Sequence, residues 1–378
     1  MTPSKATREQ LREHNRRLVL RMLYQGEVNT RAALAAVTGL TKPTISSLVG
    51  ELIDDGLVVE EGLGSSTGSG GKRPTLLAFN PRARHVIGVA VGSRTVSAVL
   101  SDLAGLTSAV HLVALRATGA AAVIDAVEAV VAALRPQLDA PLLAVGVAVP
   151  GRVRPGDGAV RHSATLALTD APLAAPLATR LGVPVHVGNF AELCALGQYG
   201  YGLGDGDPVG TLVTMTLDED LELGVVMHPS GAHFGSELAG PMVEELNLGA
   251  SALRQRAAEL TRSLPGSALN GGDLGYLDVR GAAAAGDEAA LTLQAELAAG
   301  LARPLAWVVA VLQPGIVSLA GGVTDLGEGF LAQLRAEAEK LLGQGALADV
   351  QLSMAYSSRL GAMGAVALAN LAELELVA

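Results

Sequence analysis

The chain has 378 residues, with 27 basic and 37 acidic side chains, one cysteine and ten aromatic residues. That length exceeds one ordinary core and predicts two or three domains. The single Cys194 excludes an intramolecular disulfide framework and a zinc site built from several thiolates.

The net charge of −10 hides a split: residues 1–84 carry 12 Lys/Arg against 8 Asp/Glu, and residues 85–378 carry 15 against 29. A basic end on an acidic body is the charge pattern of a nucleic-acid-binding head. The N-terminal stretch lacks the apolar core of a signal peptide. The longest apolar run, Leu305–Val323, is interrupted by Gln313-Pro314-Gly315, so a cytoplasmic protein without a membrane span is the expectation.

From Thr7 to Tyr24 the apolar residues Leu11, Leu18, Met22 and Leu23 predict a helix with one buried stripe, its other faces carrying Arg12, Arg16, Arg17 and Arg21. Gly26 ends it. Thr30 caps a second short helix, Arg31–Val37, packing through Ala33, Leu34 and Val37. After Thr38-Gly39-Leu40, Thr41 caps a third helix with Pro43 in its first turn, where no intrahelical N–H is lost. Ile45, Leu48, Leu52 and Ile53 form its buried stripe, leaving Lys42, Thr44, Ser46 and Ser47 outside. Two short helices about a Gly turn make a helix-turn-helix whose second helix is placed to enter a major groove. Leu57–Glu61 and Thr75–Phe79 then read as a β-hairpin wing around a Gly/Ser loop, with Lys72 and Arg73 at its base for phosphate or the minor groove. The expected DNA contacts are Arg31, Lys42, Thr44, Ser46, Ser47, Lys72 and Arg73. The rival reading of this segment is a helical dimerisation domain with solvated charges.

The run Thr30-Arg31-Ala32-Ala33-Leu34-Ala35, Thr38-Gly39-Leu40-Thr41-Lys42-Pro43-Thr44-Ile45-Ser46, Gly56-Leu57-Val58 and Gly71-Lys72-Arg73-Pro74 resembles the winged helix-turn-helix of ROK-family repressors. That family unites sugar-responsive repressors, uncharacterised members and sugar kinases. Ala33 stands where the family often has an acid.

Beyond the head, strand and helix patterns alternate: strands at His85–Val91 and Val96–Ser101, a turn at Asp102–Gly105, a helix at Val123–Leu134 and a buried strand at Leu142–Val149. Val183–Val187 is a strand running into a helix from Ala191. Thr211–Thr216 and Leu223–His228 form a strand pair. Ala289–Val311 is a long helix, Ile316–Ala320 a strand, and Gly361–Leu371 a last small apolar helix. A strand-and-helix unit that occurs twice predicts two α/β lobes around a cleft. The segments Ala144–Gly151, Leu181–Asn189 and Gln313–Gly322 resemble the actin-like, sugar-kinase-like (ribonuclease H-like) core of the same family, so the resemblance spans nearly the whole chain. The expected organisation is a DNA-binding domain at 1–82, a first lobe at 83–190 plus 361–378, and a second lobe at 191–360.

A sugar kinase needs phosphate cradles, a metal-holding carboxylate and a general base. The family's first phosphate loop resembles Asp-x-Gly-Gly-Thr, and this chain has Ala90-Val91-Gly92-Ser93-Arg94. The glycine-rich second loop is replaced by Leu217-Asp218-Glu219-Asp220-Leu221-Glu222-Leu223-Gly224, whose carboxylates repel a polyphosphate. The base of the family's Asn-Asp-Ala pattern falls at Asn189-Phe190-Ala191, and Phe cannot accept a proton. A solvated acidic loop, rather than a metal site through Asp218, Asp220 and Glu222, is the expectation there. The family's zinc ligands are also lost: Gly240 stands at the His position, and no Cys follows. His228 and His233 are a weak metal signal. No metal and no cofactor are expected.

The resemblance implies sugar contacts at Thr165, Asn189, Glu237, Gly240 and Glu245, of which Asn189 and the two glutamates retain the family's residue types. Asn189 has the alternative role of capping the following helix, and Glu237 that of pairing with an arginine such as Arg94. Phe190 makes the cleft more apolar, and sugars stack on such rings. The expected function is a sequence-specific DNA-binding regulator, a repressor, acting as a homodimer or dimer of dimers on a double-stranded operator, with a degenerate non-kinase core that has changed or lost its sugar-like effector. The alternatives are an ATP-dependent sugar kinase carrying a DNA-binding head and a regulator with no ligand.

Overall fold

The structure is a computed structural model and describes residues 7–64, 73–202, 210–228, 230–238, 248–271, 274–356 and 359–376. Helix α1 (Arg8–Tyr24) starts at a reciprocal cap: the Thr7 hydroxyl accepts from the Gln10 N–H, and the Gln10 side chain accepts from the Thr7 N–H at 2.8 Å. Its buried stripe is Val19, Leu20 and Leu23, shifted from the expected one, and Leu11 is 52 % exposed. The N-terminal half of α1 meets helix α3 (Lys42–Asp54) through polar contacts instead, Arg12 with Ser47 and Glu51, so Leu11 has no apolar surface to cover.

Helix α2 (Arg31–Thr38) and α3 meet at 120°, within the range of a helix-turn-helix. Gly39 supplies the left-handed turn residue at φ 69°, and the Thr41 hydroxyl accepts from the Thr44 N–H. Val37, expected inside, is exposed, and Val49 joins Ile45, Leu48 and Leu52 in the buried face. Strands β1 (Val58–Leu63) and β2 (Thr75–Phe79) pair antiparallel as the wing, and Tyr24 meets Phe79 edge-on with ring centroids 5.1 Å apart.

The body contains one sheet plan built twice. Strands β3 (His85–Val91), β4 (Thr95–Asp102) and β5 (Thr107–Ala114) form an antiparallel meander. Strand β6 (Leu142–Val149) then joins β3 in parallel. A small sheet of β7 (Arg152–Val153), β8 (Ala159–Ser163) and β9 (Leu168–Pro172) follows, and β10 (Val185–Asn189) completes the order β10-β6-β3-β4-β5. The second sheet repeats the plan with β11 (Leu212–Leu217), β12 (Leu221–Met227), β13 (Ala232–Leu238), β14 (Ile316–Ala320) and β15 (Gln351–Met354), in the order β13-β12-β11-β14-β15. Three antiparallel strands followed by two parallel ones, twice, is the actin-like two-lobed architecture.

Helices cover the sheets. In the first lobe α4 (Ala120–Leu134) and α5 (Ala174–Leu181) close one face of the sheet; α6 (Phe190–Tyr201) leaves the end of β10. The second lobe carries α7 (Ala250–Ser263), α8 (Tyr276–Ala284), α9 (Glu288–Leu312) and α10 (Gly327–Leu342). The 25 residues of α9 are long and apolar enough to cross a membrane by length and composition, yet Leu293, Leu297, Leu301 and Leu305 sit in the lobe's core. Its end falls at Leu312, where Gln313 turns left-handed at φ 45° before Pro314.

The last helix, α11 (Leu360–Leu374), lies between the first sheet and α6. It is small-residued because backbone meets backbone there: a Cβ at Gly88 or Gly146 would overlap the carbonyls of Ala362 and Ala365. Its far end reaches the head. Leu374 and Leu376 belong to one apolar cluster with Val19, Leu20 and Leu23 of α1, and Arg17 pairs with Glu375 at 2.9 Å.

Candidate DNA-binding face and interlobe cleft

Helix α3 is exposed at Lys42, Ser46 and Ser47, and Arg73 at the base of the wing is exposed as well. Thr44 is half-buried, with its hydroxyl 2.9 Å from that of the cap Thr41. Ser47 accepts from Arg12 at 3.0 Å, so α1 steadies that side of the recognition helix. Arg31, expected at the DNA, pairs with Glu60 of the wing at 2.9 Å. Its guanidinium therefore ties α2 to β1. Lys72 lies outside the described residues.

The cleft forms where the two lobes face each other, a cavity of about 270 Å³. The β3–β4 turn, Val91 to Thr95, lines one wall; the opposite wall is the β11–β12 turn with Thr216, Asp218, Glu219, Asp220 and Glu222. Pro150, Thr165 and Phe190 close the floor. The segments compared above with the family's two phosphate loops and its base thus converge on one cavity.

The acidic segment is only in part the solvated loop that its composition predicts: Asp218 is exposed and Glu219 and Asp220 are half-buried, but Glu222 is buried. Thr216 and Glu222 are register partners across β11 and β12, and Glu222 faces Glu237 across β12 and β13. Alternation along β12 turns Glu222 inward, where it is 3 % exposed. Its Oε1 accepts from the Gly151 N–H at 2.5 Å, a bond from the second lobe to the first, while its Oε2 has no hydrogen bond of good geometry among the described residues. Burial pushes this carboxyl up to about 8, and nearby Glu237 adds to the shift against the Gly151 bond. The carboxyls of Asp218 and Asp220 diverge from it: Asp218 accepts from the Gly322 N–H at 2.6 Å and Asp220 from the Thr165 hydroxyl at 2.7 Å.

Asn189 is fully buried and doubly used. Its Oδ1 accepts from the Glu192 N–H at 3.0 Å as the cap of α6, and its Nδ2 donates to the Gly151 carbonyl at 2.6 Å. Glu237 is buried on β13, outside the cavity lining, and burial raises its carboxyl too. Of the expected effector contacts, only Thr165 lines the cleft; Gly240 and Glu245 lie outside the described residues. Glu222 was missed because its segment reads as a charged turn, although the alternation Leu221-Glu222-Leu223 carried the signal of a strand.

His228 bonds Tyr199 at 2.9 Å and His233 bonds Glu192 at 2.7 Å, so the two histidines serve different partners. Among the described residues no group of three His, Cys, Asp or Glu side chains is arranged to hold a metal ion. Cys194 is buried, and burial followed by the charges of Glu222 and Asp218 pushes its thiol well above the ordinary range.

Residues 86–238 and 244–372 match the model of the ROK family. The chain is 28 % identical over 222 residues to the xylose repressor of Caldicellulosiruptor bescii, covering 57 % of this chain and 54 % of that one. It is 27 % identical over 218 residues to the xylose repressor of Bacillus subtilis, covering 57 % and 55 %. The matched region spans about half the length of these curated relatives. Among solved structures it superposes on a ROK family transcriptional regulator, a homolog of the E. coli MLC protein, with a TM-score of 0.77 at 18 % identity over 97 % of both chains. It also superposes on a ROK family glucokinase from Streptomyces griseus, with a TM-score of 0.64 at 24 % identity over 75 % of this chain and 98 % of that one. These likenesses establish the fold, over nearly the whole chain in the first case and over three quarters of it in the second. With the family model matched over both lobes and the duplicated sheet plan in place, the chain belongs to the ROK family.

Proposed function

We propose that this protein is a DNA-binding transcriptional repressor whose two-lobed body is an effector-sensing and oligomerising core rather than a kinase. The observation that carries the reading is the head: a capped recognition helix with an exposed Lys42-to-Ser47 face beside a wing, packed on a core whose catalytic-base position is Phe190. The likeness to xylose repressors supports the repressor reading and a sugar-like effector class. A cytoplasmic location goes with it. We divide the chain at 82/83 between head and core, with 83–190 and 361–378 as one lobe and 191–360 as the other.

Helix α11 is the natural route from cleft to head. Its first turn packs Gly361 against the Phe190 ring, and just past its last turn Glu375 holds Arg17. A ligand that changes lobe closure would move α11 and with it the two heads of a dimer. For the dimer, α9 offers Trp307 and Val311, one helical turn apart and 73 % and 70 % exposed. Trp307→Glu is expected to shift the protein toward monomer in sedimentation, and an unchanged mass would place the interface elsewhere.

The operator is found by selecting bound sites from random duplex DNA. On that site, Lys42→Ala combined with Arg73→Ala is expected to weaken binding about 10- to 100-fold and to lower the salt slope by about one per lost phosphate contact. Unaltered affinity and slope would refute the docking face. Arg31→Ala acts through the wing, so its effect should be matched by Glu60→Ala. A coupled assay for ADP release should find no turnover with sugars; sustained turnover would revive the kinase alternative.

A further inference from the structure

We propose that the interlobe cleft takes a small cationic, amine-bearing ligand, with the ammonium held between Glu222 and the ring of Phe190. The proposal rests on the reading of this cleft as the effector site and names the chemistry of its occupant. The cavity, about 270 Å³, has room for a molecule of monosaccharide size.

Its lining is acidic: Asp218, Glu219, Asp220 and Glu222 stand against the one guanidinium of Arg94 among the described lining residues. Three of these carboxylates are already engaged: Asp218 by the Gly322 N–H, Glu219 by Arg254 at 3.2 Å, and Asp220 by Thr165. Glu222 differs. It is 3 % exposed, lines the cavity, and has Oε2 without a hydrogen bond of good geometry, although the Ala191 N–H also acts on this carboxyl. A buried carboxyl oxygen left unpaired is costly, and a donor brought by a ligand removes that cost. Phe190, where the resemblance implies an acid, lines the same cavity, and the face of such a ring attracts a cation and repels an anion. A phosphorylated sugar meets like charge on this wall, whereas an amino group satisfies the free oxygen and the ring together.

A proton accompanies the binding. The groups around Glu222 are Glu237 on β13, Asp220 and Asp218 on the hairpin turn, and Cys194 on α6; Arg152 and His162 act on Glu237. In this setting Glu222 is held protonated at neutral pH. An ammonium beside it favours the carboxylate, so docking releases the Glu222 proton to the buffer.

The test is titration calorimetry on the full chain at pH 7, in two buffers of different ionisation enthalpy, neither a primary amine. The probes are glucosamine, putrescine, glucose, xylose and glucose 6-phosphate. An amine is expected to bind at least about tenfold tighter than the neutral sugars and to release close to one proton, as a charge-assisted bond provides. Glu222→Gln, shown to be folded by its melting transition, should lose both that preference and the proton release. Equal binding of amines and neutral sugars, no binding by either amine, or proton release that survives Glu222→Gln overturns the proposal. Xylose or glucose binding that frees the operator would overturn the amine while leaving the effector cleft in place. Operator release by any probe that is indifferent to a cleft-blocking Thr165→Trp would overturn the effector-cleft reading itself.

Discussion

Glu222→Gln is expected to gain stability over the wild type as pH rises, by about 4 kcal/mol between pH 4 and pH 8. In the folded chain this carboxyl holds its proton up to about 8, against an ordinary value of 4.5 in the unfolded chain. Between those two values the folded state binds more protons than the unfolded state. Wild-type stability from this group is therefore greatest below pH 4.5 and falls as pH rises through 8. The neutral amide keeps the Gly151 bond and never has to ionise. Urea denaturation of both proteins across this range checks the claim. The difference between variant and wild type is the quantity to read, because it isolates this one group from all that the two proteins share. Parallel curves would mean that the cleft stabilises the Glu222 carboxylate in place.

Gly364→Ala is expected to cost at least about 3 kcal/mol, the upper range for overpacking, since the new methyl meets backbone that cannot repack. Its Cβ would overlap the Leu193 carbonyl, where α11 and α6 touch along their backbones. Gly281 in α8 is the control: nothing lies near its Cβ, so Gly281→Ala should stabilise by about 0.5–1 kcal/mol through helix propensity. Equal effects at the two sites would show that α11 does not pack as described. Because α11 also contacts the head, Gly364→Ala should weaken operator binding beyond what its stability loss explains, whereas Gly281→Ala should not.

Local chemistry made much of the architecture legible. Thr30 and Thr41 cap α2 and α3 by hydroxyl-to-backbone bonds that need only neighbouring residues, and Pro43 and Gly39 act through their own dihedrals. Strands β3, β6 and β14 begin and end where their runs of buried apolar residues do. Strand β5 was not legible. It lies at the edge of its sheet with most of its residues exposed, so its pattern lacks a buried run. Helices α7 and α8 and the small β7–β9 sheet carry similarly mixed patterns.

The site divides in the same way. That Ala90 and Phe190 stand where the resemblance implies acids was readable, because it is a matter of residue identity alone. The inward turn of Glu222, the tie between Arg31 and the wing, and the Asn189 bond to the Gly151 carbonyl were not readable, since each depends on a partner 29 or more residues away, whereas the Asn189 cap of α6, three residues along, was.

By itself, then, the sequence determined the family and the head with its capped second helix, both of which rest on residue identity and short-range bonding. Only the tertiary structure decided what the acidic segment does. Pairing of β12 between β11 and β13 selects which carboxyl faces the other lobe, and burial then sets its protonation. A run that composition assigns to solvent thereby supplies the one buried, half-satisfied acid among the described residues of the cleft.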